Sequence, residues 1–85
     1  MEEMLAEAVL GRDAEEFVAS ELGQTLIGMA QQEADEATYK LQRTHPWRTR
    51  RIRELQNEIW RAQSFQSWLV ELAERGQQAK QQLEL

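Results

Sequence analysis

Apolar residues recur every three or four positions along most of the chain, and no stretch alternates apolar and polar side chains as a half-buried strand would. The pattern predicts an all-α protein. One stripe, Ala19, Gly23, Leu26, Ala30, Ala34, Ala37 and Leu41, is made mainly of small residues. A later stripe, Ile52, Leu55, Ile59, Ala62, Phe65, Leu69 and Leu72, is made mainly of large ones. Such stripes match each other in coiled-coil fashion, small against large, as close helix packing requires.

Local signals divide the chain into three helices within a single domain, residues 1–85, with spans of about 2–10, 14–42 and 46–82. Gly11 reads as a stop signal for the first. Asp13, with Glu16 three residues on, reads as the capping box of the second. Pro46 suits the first turn of the third. The expected architecture is a long antiparallel helical hairpin with the short N-terminal helix packed on it. A turn centred near Thr44 sets Ala37 against Ile52, Ala34 against Leu55, Ala30 against Ile59 and Gly23 against Phe65. The same register brings Glu36 beside Arg53.

Two long helices carry more apolar surface than one such seam can bury. Phe17, Leu22, Met29, Trp60 and Trp68 lie off the stripes and form a candidate oligomer interface. A first helix of nine residues would cover only ~14 Å of the hairpin at 1.5 Å per residue. Two coverings remain open for the tryptophans: Met4, Leu5 and Val9 of the same chain, or a second copy in a homo-oligomer. With 85 residues the core is thin, so association is the expected source of further stability.

Charge changes the picture in one place. Residues 1–39 hold ten acids against Arg12 alone, and residues 40–85 hold nine bases against five acids. The bases crowd at the expected turn, where Lys40, Arg43, His45, Trp47, Arg48, Arg50 and Arg51, with Arg53 just beyond, form a candidate partner-binding tip. Cations at a helix N-terminus oppose its dipole, so they need a negative group nearby. Three readings stand: neutralisation by Glu33, Asp35 and Glu36, an acidic protein surface, or a nucleic-acid backbone with Trp47 stacking on a base. The sequence pI near 4.8 weighs against nucleic acid.

Chemistry is sparse. There is no cysteine and one histidine, which points to no disulfide, no metal site and no cofactor. No Gly-rich phosphate loop or nucleophile–base arrangement is recognisable, so an enzyme is not expected. No apolar run suits a membrane span, and Glu2, Glu3 and Glu7 stand where a signal peptide carries positive charge. The expected location is cytoplasmic, or virion-associated in the setting described next.

The runs Leu10-Gly11-Arg12 with Glu16-Phe17, Ser20 with Leu22-Gly23, Leu55 to Ala62 and Ser64 to Leu69, then Gly76 with Ala79, resemble small helical proteins of unassigned function encoded by tailed phages and prophages. The resemblance implies a host cytoplasm or a virion as the setting, and it carries no catalytic motif. The function expected is a non-enzymatic interaction or structural module acting through self-association and protein–protein contacts. The alternative is a nucleic-acid-associated helper in phage packaging or regulation that binds through the basic tip.

Overall fold

A computed structural model describes residues 1–84. It is all-helical: α1 spans Glu2–Ala19, α2 spans Glu21–Gln42 and α3 spans Thr49–Glu84. The 36 residues of α3 are about 54 Å long at 1.5 Å per residue, enough to pack against both α1 and α2. The molecule measures 56 × 25 × 14 Å. Its least dimension is that of one layer of helices.

The first helix does not stop at Gly11. It continues through Asp13 to Ala19, and the chain breaks at Ser20 instead, where ψ of 159° takes the backbone out of the helix. Asp13 is exposed inside α1 and caps nothing. Ser20 is the cap: its Oγ accepts from the Gly23 N–H at 2.9 Å and donates to the Phe17 carbonyl at 2.6 Å, with Glu21 in the first turn of α2 favouring the positive end of that helix. The structure gives Gly23 a reason at this junction. A Cβ on Gly23 would collide with the Phe17 carbonyl group, its carbon only 2.6 Å away.

Packing explains why the helix runs through Gly11. Gly11 and Ala14 are buried on the side of α1 facing α3, where Gly76 and Ala79 are buried in turn. A Cβ on Gly11 would lie 2.5 Å from the Gly76 Cα, and one on Gly76 would lie 2.5 Å from the Gly11 Cα. The two backbones touch, so glycine here serves close approach and a helix end would forfeit it.

The buried apolar residues are Ala14, Ala34, Ala37, Ala62, Ala79 and Leu55, and Leu55 is the one large side chain fully enclosed among the described residues. Ile52, Ile59, Phe65, Leu69 and Leu72 of the expected stripe are half-buried, while Ala19 is exposed. Bonds across the helices join Arg61 to Glu33, Gln66 to Gln31 at 3.4 Å and Gln77 to Glu15 at 2.7 Å. These differ from the expected register, in which Gln31 and Glu33 lie level with residues of α3 nearer its start. The connection is also longer than expected, since α3 begins at Thr49 and not at Pro46. Glu36 takes a hydrogen bond from Gln32 at 3.1 Å, not from Arg53.

Candidate functional site

The connection between α2 and α3 gathers the predicted basic residues. Lys40 lies in the last turn of α2, and Arg43 closes that helix with its guanidinium 4.4 Å above the Tyr39 ring, a cation–π contact. Thr44 Oγ1 donates at 2.7 Å to the Lys40 carbonyl, which also accepts from the Arg43 N–H at 3.1 Å, so the helix end is closed from both groups. Pro46 sits in a tight turn in which the Arg48 N–H donates to the His45 carbonyl at 3.0 Å. The Arg48 carbonyl then accepts from the Ile52 N–H at 3.0 Å and opens α3.

Within that turn His45 and Trp47 stack face to face, ring centroids 4.4 Å apart and planes 9° from parallel. Trp47 is 74% exposed. Trp47, Arg48, Thr49, Arg50, Arg51 and Glu54 line a shallow groove of about 440 Å³. Arg51 reaches Glu54 at 3.2 Å and Arg50 reaches it at 3.8 Å.

The acids expected to neutralise the turn are engaged elsewhere. Glu33 pairs with Arg61, and Asp35 accepts from Gln31 at 2.9 Å. Glu54 is the carboxylate at the groove, and its spacing of four from Arg50 and three from Arg51 was the signal available in the sequence. Between Lys40 and Glu54 six bases face one acid. Chemically, the site offers positive charge and a flat aromatic surface.

A second candidate surface is apolar. The Arg61–Glu33 pair marks one side of the α2–α3 seam, and the hydrogen bond that the Arg61 guanidinium donates to Glu33 raises its proton affinity. Trp68 lies seven residues from Arg61, Met29 four from Glu33 and Leu22 seven from Met29, so all three share that side. Trp60, two steps of four from Trp68 through Ser64, is turned about 80° from it and stands at the outer edge of that side. Leu22, Met29, Trp60 and Trp68 are 63, 60, 66 and 58% exposed. Phe17, the fifth residue of the predicted interface, is half-buried at the α1–α2 junction.

Nor does α1 cover the tryptophans. Leu5 and Val9 are exposed and line a groove of about 360 Å³ beside Gly11 and Gly76. No described helix is long and apolar enough to cross a membrane. Compared with protein-family models, with curated proteins and with solved structures, the chain finds no match.

Proposed function

We propose that the protein is a non-enzymatic interaction module that associates with itself through the face of Leu22, Met29, Trp60 and Trp68. The observation carrying this reading is a single layer of helices with too much surface. A compact monomer of 10.0 kDa exposes roughly 5,200 Å². This chain exposes 6865 Å², and its radius of gyration is 17.3 Å where about 12 Å is ordinary for its length. The excess, about 1,600 Å², exceeds the ~800 Å² that each partner buries in a standard interface. A domain ordinarily packs two layers around its core, and a second copy supplies the missing one.

The same reading takes α2 and α3 as arms of an antiparallel hairpin with the basic turn as its tip. In support, partner numbers fall from Glu33 and Gln31 to Glu15 as the α3 numbers rise from Arg61 and Gln66 to Gln77. With the resemblance to phage and prophage proteins, a structural or host-takeover role inside a host cell or a virion is the setting we propose.

Light scattering coupled to size-exclusion chromatography tests the central claim. A dimer returns twice the 10.0 kDa chain mass at tens of micromolar. A 10.0 kDa species that does not change on concentration overturns it. The second reading, nucleic-acid binding at the tip, is favoured by the flat His45–Trp47 stack in a segment where six bases face one acid. A salt-dependent shift of a labelled single strand tests that reading.

A further inference from the structure

Resting on self-association through the apolar face, the arrangement of the two copies follows from where charge sits on the rod. The apolar face lies at the middle, because the midpoint of α3 falls near Ser67, between Trp60 and Trp68. The midpoint of the α1–α2 line falls near Leu22. The ends are oppositely charged. The tip, residues 40–54, carries six bases and one acid. The far end, residues 1–16 with 71–84, carries nine acids and three bases.

We infer that a second copy of this chain docks antiparallel on the first, the basic tip of each lying along the acidic far end of the other. A two-fold axis through the middle of the rod lays the apolar face on itself and exchanges the ends. A parallel pair would also close the apolar face, but it would set six bases against six and nine acids against nine. Like charges so juxtaposed oppose docking, whereas the antiparallel pair matches each end with its complement. The uncompensated cations of the tip then have their acids in the partner, which the chain does not supply locally beyond Glu54.

The chain has no cysteine, so single spin labels can be introduced without background. Thr25→Cys and Gln42→Cys are exposed sites, the first near the middle beside Leu22 and Met29 and the second at the tip. Pulsed dipolar spectroscopy on the labelled dimer is expected to give a short distance at position 25. At position 42 the labels should lie apart by most of the 56 Å rod. Short distances at both positions overturn the antiparallel arrangement while leaving the dimer standing. A long distance at 25 overturns the face itself, and a monomer by scattering overturns the reading beneath both. As a second measurement, replacing Arg48, Arg50 and Arg51 by Gln should raise the dimer Kd about tenfold. An unchanged Kd means that the tip does not face the partner's acids.

Discussion

Gly11 and Gly76 meet backbone to backbone, each occupying the space in which the other's Cβ would have to stand. The Leu72 carbonyl, 2.8 Å from a Cβ on Gly11, and the Glu7 carbonyl, 3.1 Å from one on Gly76, close the remaining room. Neither neighbour is a flexible side chain that can yield.

Gly11→Ala and Gly76→Ala are therefore expected to destabilise the protein. Alanine favours a helix by up to ~1 kcal/mol over glycine, but overpacking between two backbones costs about 1–3 kcal/mol and should exceed it. Chemical denaturation of each variant measures the balance. A rise in the unfolding midpoint for either would show that the helices can separate freely at this crossing.

Gly28 supplies the opposite case. It lies exposed inside α2, and a Cβ there would meet nothing within 4 Å. Gly28→Ala should raise stability by roughly 0.5–1 kcal/mol through helix propensity alone. The same denaturation experiment checks it, and a loss of stability would reveal a contact at this position.

At the α1–α2 junction, Ser20→Ala removes the side chain that both accepts from Gly23 and donates to Phe17, and should cost about 1 kcal/mol. Gly23→Leu should cost more than the ~1 kcal/mol of the lost cap, because it drives a side chain into the Phe17 carbonyl group. Thermal unfolding separates the two: a Gly23→Leu variant as stable as wild type would mean that the junction straightens without penalty.

Among the described residues Leu55 stands alone as a large, fully enclosed side chain. Leu55→Ala should cost about 2–5 kcal/mol, a large part of the stability of so small a domain. Calorimetry of the variant is the check; a cost under about 1 kcal/mol would place the core elsewhere.

Replacing Arg48, Arg50 and Arg51 together by Gln should leave helicity intact, since exposed ion pairs such as those to Glu54 contribute little and the cations oppose the dipole of α3. Circular dichroism that showed loss of the fold would make these arginines structural.

Helix content was legible in the sequence because every stripe repeats at helical spacing, and buried Gly23, Ala34, Ala37, Leu55 and Ala62 lie on the predicted stripes, whereas buried Gly11, Ala14, Gly76 and Ala79, where α1 meets α3, do not. The boundaries were not. Local chemistry picks Asp13 with Glu16 as the start and passes over Ser20, since it cannot rank the two sites by what they pack against. The ranking comes from Gly76, more than sixty residues away, which rewards a helix passing through Gly11. Six of the basic residues fell where charge counting put them, but their carboxylate, Glu54, is set by helical spacing that was read for packing and not for charge. The aromatic stack of His45 on Trp47 depends on the turn geometry around Pro46 and had no signal in the spacing of residues.

The break at Ser20 also bears on how the molecule comes apart. Contacts near the turn join residues such as Glu33 and Arg61, 28 positions apart, while those of α1 join Glu15 and Gln77, 62 apart. Closing the longer loop costs more chain entropy, so the α2–α3 end forms first and α1 zips on last. With Ser20 outside any helix, nothing forces α1 to stay straight when α2 does. Amide hydrogen exchange should then fall into two cooperative units, α1 with the end of α3 opening below the global limit and the segment around Leu55 exchanging only on full unfolding.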